Sequence, residues 1–213
     1  MNGAPAFGPE FRERLLDLFV WRRDVRAFRR DPLPDGTLDR LIGIASLAPS
    51  VGLSEPWRFV VVENPALRSA VRACFEACNA AAFARQSGDR AQRYARLKLA
   101  GLDDAPCQFA LFADRETAQG HGLGRLTMPQ TIDYSAVMAL HTLWLAARAE
   151  GIGLGWVSIL DPDEIKGLLD VPAGWELLGY FCLGWPAAED WQPALERLSW
   201  EERRPPSTSI VRR

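Results

Sequence analysis

The chain has 213 residues, 48% of them apolar, and a formal net charge of −2. That is long enough for a substantial core and carries no basic surplus of the kind that binds nucleic acid or an anionic membrane. The longest apolar run, residues 134–147, is too short to span a bilayer, and the opening MNGAPAFGPEFRER has no signal-peptide core, so a cytoplasmic protein is expected.

Residues 10–22 read as an amphipathic helix with Phe11, Leu15, Leu18 and Phe19 on one face. It delivers WRRDVRAF, in which Arg22, Arg23 and Arg26 crowd around Asp24. Guanidiniums this close repel one another, and a phosphate satisfies them through paired N–H bonds. Basic residues at a helix end also suit its dipole, and on these residues alone the two readings stand level. Asp24 does not fit a pure phosphate cradle. A turn at 31–36 follows, then a helix capped by Asp35 or Thr37, running to Ala45 and stopped by Pro49. The polar stretch 49–57 is a loop, and 58–63 is a β-branched strand.

A helix is expected over 65–83, with Leu67, Val71, Cys74, Phe75 and Cys78 on one stripe. The polar segment 84–89 and the loop around 127–130 are candidates for a lid or for plain surface loops. A basic helix over 90–100 leads to a strand at 107–113. The glycine-rich loop 114–130 contains GHGLG, whose spacing is not a dinucleotide fingerprint. Residues 131–150 form a helix apolar nearly all round, suited to a domain centre or a subunit interface. Strands are expected at 153–159 and 175–184, with a helix starting at Asp161-Pro162 between them. The tail from Trp185 has little periodicity, and its length suits wrapping a partner subunit. Helices and strands mix without regular βα alternation, which favours an α+β layer fold in a single domain, 1–213.

The four cysteines are expected to be reduced and buried. His121 and His141 stand in no metal-ligand spacing with them, so no metal is expected. Trp57, Trp144 and Trp156 read as core residues. Gly153 and Gly155 are expected to let the backbone come close to the ring of a bound ligand.

Four blocks in order resemble the nitroreductase superfamily. They are the RRDVR cluster at 22–26, Ala48-Pro49-Ser50 with PWRFVVV at 56–62, the apolar helix with EGIGLG at 150–155, and GYFCLG at 179–184. Asp24, YARLKLAG at 94–101, Asp133-Tyr134-Ser135, GWVSI at 155–159 and WEER at 200–203 are similar to its 5,6-dimethylbenzimidazole synthase branch. The resemblance implies a nitroreductase-like fold, with a central mixed sheet flanked by helices and a C-terminal extension wrapping a partner. It implies a homodimer with FMN at the interface. It also implies a reaction in which reduced FMN, with molecular oxygen, is itself the substrate and yields 5,6-dimethylbenzimidazole and erythrose 4-phosphate. The reductant is left open between a flavin reductase partner and NAD(P)H.

Carried over by the same resemblance, Arg22, Arg23, Val25, Arg26 and Arg203 are expected to hold the phosphate and polar edge of the flavin. Ser50 contacts it across the interface, and Lys98 and Leu99 line it. Arg203 in its EERR run also suits a plain surface position, and Ser50 a helix-end hydroxyl. Asp24, a carboxylate among arginines, is expected to stay ionised and to act as base or oriented acceptor. Its bland alternative is a salt-bridge partner. Ser158 is the second catalytic candidate, as a hydroxyl donating to the flavin, with a backbone-bonded serine as the alternative. Glu55, where the superfamily has Gln, and Leu53, where an amide is common, depart from the pattern. Rival activities are an NAD(P)H-dependent FMN nitro- or quinone reductase and a flavin-binding protein without turnover.

Overall fold

The computed structural model describes residues 3–213. Its helices are α1 (Pro9–Trp21), α2 (Thr37–Ala45), α3 (Pro65–Ala84), α4 (Gly88–Ala95), α5 (Thr131–Ala149), α6 (Pro162–Leu168) and α7 (Ala194–Arg197). Its strands are β1 (Trp57–Val61), β2 (Cys107–Asp114), β3 (Gly153–Val157) and β4 (Trp175–Gly184). They form one sheet in the order β1-β2-β4-β3, antiparallel at every neighbouring pair. The expected mixed sheet is therefore antiparallel in its four strands. Its parallel component is a single bridge, Asp24 with Leu154 at the β3 edge.

The central strands β2 and β4 are nearly unbroken apolar runs because helices cover both faces. Phe109, Leu111, Phe181 and Leu183 pack against α2 and α5. Their alternates Ala110, Phe112, Tyr180 and Cys182 pack against α3 and α6. The buried polar groups between them are satisfied: Tyr180 Oη donates to Gln108 Oε1 at 2.9 Å, and Gln108 Nε2 donates to the Leu102 carbonyl at 2.9 Å. α5 lies along the sheet through Ala136, Ala139, Leu140, Leu143 and Ala147, all buried. Its other side leaves Tyr134 56% and Met138 46% exposed. α1 buries no residue at all, although Phe11, Leu16, Phe19 and Val20 are apolar.

Side-chain caps set two of the helix starts. Asn64 caps α3 by accepting the Ala66 N–H, and Asp161 caps α6 by accepting the N–H groups of Asp163 and Glu164. For α2 the cap position is held by Gly36 at φ 72°, not by Asp35 or Thr37, and Thr37 is instead the first, buried helical residue. α4 ends at Ala95, short of the expected residue 100. Beyond it the chain must run beside Phe28, where a Cβ on Gly101 would lie 2.4 Å from the ring. A continuing helix would carry it away from that contact. The segment 84–89 is the corner between α3 and α4.

All four cysteines are free, but only Cys74 and Cys182 are fully buried; Cys78 and Cys107 are partly exposed. Burial pushes the Cys182 thiol up to about 12 and the Cys107 thiol to about 11. Among the described residues no helix is long and apolar enough to cross a membrane.

Candidate functional site

After α1 the backbone becomes extended at Arg22, and residues 24–29 run along the open edge of β3 and past the end of β4. The Val25 N–H donates to the Leu154 carbonyl at 3.0 Å, the Arg29 N–H to Trp185 at 2.8 Å, and the Ala187 N–H to Ala27 at 2.9 Å. The glycines of β3 make this possible. A Cβ on Gly155 would stand 2.1 Å from the Val25 carbonyl oxygen, and one on Gly153 would stand 2.7 Å from Val25 Cγ2. The close approach expected of a ligand ring at these glycines is instead made by the chain's own Val25. Phe28 anchors the segment, its ring seated against Gly101 and Gly184.

Asp24 sits in the middle of that segment with both carboxylate oxygens engaged. Oδ1 accepts the backbone N–H of Trp156 at 2.9 Å. Oδ2 accepts Arg26 Nε at 2.9 Å and Nη2 at 2.7 Å, in a half-buried ion pair. Arg26 Nη1 donates to the Lys98 carbonyl at 3.2 Å, which brings Lys98 and half-buried Leu99 to the same place. The Lys98 ammonium points instead at Asp104, 3.7 Å away. The pairing of Asp24 with Arg26 is the arrangement that the bland reading of Asp24 describes. The strand-held Oδ1 leaves the carboxylate oriented as an acceptor as well.

The other arginines divide the work. The Arg23 guanidinium is used up on backbone carbonyls, those of Val20, Arg22 and Trp191. Arg22 has no carboxylate within ion-pair distance among the described residues, and its guanidinium lies 4.9 Å from the centre of the Trp144 ring. Burial lowers the pKa of both Arg22 and Arg23; the charge of Asp24 raises that of Arg22, and the charge of Arg203 lowers each. Arg203 is mostly exposed, and its Nε is 3.6 Å from Glu196 Oε1. Arg22 therefore keeps its N–H fork free of a bound carboxylate, which suits an anionic group.

Ser158 follows β3 directly and is exposed, two residues beyond the N–H that holds Asp24. Ser50 is not brought to the arginines within one chain. Its Oγ accepts the Glu55 N–H at 3.1 Å, the backbone-satisfying role named as its alternative. Gln119 Nε2 donates to the Leu53 carbonyl at 2.8 Å and to Glu55 Oε2 at 3.2 Å, so a nearby amide reaches the two departing positions. The tail lies on its own chain's α4: Arg93 Nη1 donates to the Ser199 carbonyl at 3.0 Å, and Trp200 packs edge-on to Tyr94 at 6.0 Å with Arg90 over its ring.

Two participants escaped the sequence reading. The Trp156 N–H is backbone, invisible in residue identities, although the GxG pattern around it was a signal. Trp144, which reads as core from its apolar helix, is indeed buried and in addition carries Arg22 on its ring.

The nitroreductase family profile matches residues 19–185. The chain is 56% identical over 213 residues to a 5,6-dimethylbenzimidazole synthase of Rhodospirillum rubrum, with 100% of each chain covered. It is 48% identical over 199 residues to a 5,6-dimethylbenzimidazole synthase of Rhodobacter capsulatus, covering 93% of this chain and 96% of that one. A crystal structure of oxidised iodotyrosine deiodinase bound to FMN and 3-iodo-L-tyrosine has the same fold, with a TM-score of 0.72 at 21% identity over 93% of this chain and 97% of that one.

Proposed function

The chain belongs to the nitroreductase family, and from that premise we propose that it fragments reduced FMN with molecular oxygen. The products are 5,6-dimethylbenzimidazole, the lower ligand of vitamin B12, and erythrose 4-phosphate. The observation that carries this reading is the 56% identity, over every residue, to a protein named for that synthesis. The geometry agrees with it. Arg22 makes no ion pair among the described residues and keeps its fork open beside the Trp144 ring, and a phosphate monoester suits that fork.

In this reading Arg22 and Arg203 grip the phosphate. Arg23 and Val25 contribute backbone groups, since the Arg23 side chain is already committed. Arg26 turns its fork to the flavin's polar edge, and Lys98 and Leu99 line the ring. FMN supplies the isoalloxazine that reacts with oxygen and is consumed. Asp24 takes up a proton at Oδ2, the oxygen now covered by Arg26, while the Trp156 N–H fixes Oδ1. Ser158 donates its hydroxyl hydrogen into the same space.

The site is completed in a homodimer with the flavin at the interface. Support comes from the apolar side chains that one chain leaves exposed: Phe11, Leu16, Phe19 and Val20 on α1, and Tyr134 and Met138 on α5. Ser50 then reaches the flavin of the other subunit, and the extension past Trp185 wraps it. Reduced FMN comes from a separate flavin reductase or from NAD(P)H at the same site, in a cytoplasmic setting.

The test begins with protein and FMN reduced without oxygen, then exposed to air. Net loss of flavin absorbance with a new dimethylbenzimidazole mass is expected. Asp24→Asn and Ser158→Gly are expected to bind FMN and leave it intact. Full recovery of oxidised FMN by the parent, with steady NAD(P)H oxidation, would assign the chain a reductase activity instead.

A further inference from the structure

Trp144 lies on α5, is 8% exposed, and is surrounded by the core that the sheet and α2 complete. A core indole ordinarily needs one partner for its N–H. This one is bonded to the site segment: Nε1 donates to the Arg23 carbonyl at 3.2 Å, across 121 residues of sequence. The face of the same ring carries the Arg22 guanidinium at 4.9 Å. One rigid side chain therefore fixes the backbone at Arg23 and the cation at Arg22 together.

The choice of an aromatic face has a chemical consequence. A carboxylate beside Arg22 would hold it as well, but it would neutralise the charge and occupy the N–H fork that a phosphate needs. A ring attracts the cation through its quadrupole, leaves the formal charge in place, and leaves the edge of the guanidinium free. The two neighbouring arginines show the contrast. Arg26 is held by a carboxylate and Arg23 by carbonyls, and both have their forks occupied.

We propose that Trp144 is a positioning residue for phosphate recognition, holding Arg22 oriented with its fork free of a bound carboxylate so that the site prefers a flavin bearing a phosphate monoester to one without. This rests on the flavin-binding reading above and adds a residue that does not itself touch the ligand.

The test compares affinities for FMN and riboflavin, which differ in the phosphate alone, by fluorescence titration of the purified dimer. The parent is expected to prefer FMN. In Trp144→Leu that preference should fall by about tenfold, the size of one desolvated cation–π contact, with riboflavin affinity little changed. Trp144→Phe retains a ring without the N–H and should keep most of the preference; Trp144→Met, which lacks a ring, carries the test if the leucine variant does not fold. In an Arg22→Gln background the same Trp144→Leu or Trp144→Met change should alter the preference by less than about twofold, because the shared partner is gone. Equal weakening of both flavins in these ringless variants would mark a purely structural role and overturn the proposal. So would an unchanged preference in them. A parent that binds both flavins equally would remove the phosphate site itself, a failure distinct from the other two.

Discussion

Asp24 is held from three directions, and each hold can be removed separately. The Trp156 N–H takes one oxygen, Arg26 takes the other, and the glycine at 155 lets the backbone come close enough for both. Gly155→Ala puts a methyl where the Val25 carbonyl now stands. It is expected to cost about 1–3 kcal/mol, the range of core overpacking, and to abolish flavin loss by shifting Asp24. Thermal unfolding and the aerobic flavin assay check both parts, and a variant of parental stability and turnover would show that the approach is not needed. Arg26→Ala leaves Oδ2 of Asp24 bare and, on the proposed reading, removes a donor to the flavin. FMN affinity should drop by about 1.5–3 kcal/mol, the scale of a charge-assisted hydrogen bond; an unchanged dissociation constant would place the flavin's polar edge elsewhere.

At the scale of elements, α2 and α5 are tied at the surface by Arg40, whose two terminal nitrogens reach the Glu150 carboxylate at 2.5 and 2.7 Å. The hydrogen bonds from Arg40 lower the Glu150 pKa in the fold. The pair's contribution is therefore complete above the unfolded carboxylate value, near ~4.3, and is lost as pH falls through the lower folded value. Arg40→Gln is expected to lower stability only slightly at neutral pH, as for an exposed pair, and to converge with the parent in acid. Denaturant titrations at two pH values read this directly. β4 was legible to the residue because a buried strand between Gly174 and Trp185 has one reading. The length of α4 was not legible, because its end is decided by Phe28, more than sixty positions away in the chain. Asp24 stood out by its company of arginines, whereas the two groups that fix Arg22 and Oδ1 are a core tryptophan and a backbone amide. Neither carries a polar signature at its position.

Across the molecule, charge is unevenly placed. Arg85, Arg90, Arg93, Arg96 and Lys98 face only Asp89 in their stretch, on a chain of formal net charge −2. Arg85 and Arg96 are exposed and make no ion pair among the described residues. This basic stretch, reaching the site through Lys98, should hasten the approach of a phosphorylated flavin. The double variant Arg85→Gln/Arg96→Gln is expected to slow FMN association at least about threefold at low salt. The difference should close near 1 M, where the screening length is ~3 Å, as stopped-flow fluorescence would show. The site segment, for its part, bonds its backbone to Leu154, Trp185 and Ala187, and Arg23 reaches the Trp191 carbonyl 168 positions later. A ribosome that has just made the arginines must work for on the order of ten seconds before it supplies their partners. Until then residues 22–29 have no edge to lie against and Asp24 has no strand to hold it. An unfinished chain thus has no means of consuming flavin, and the capacity to destroy it arrives only as synthesis ends.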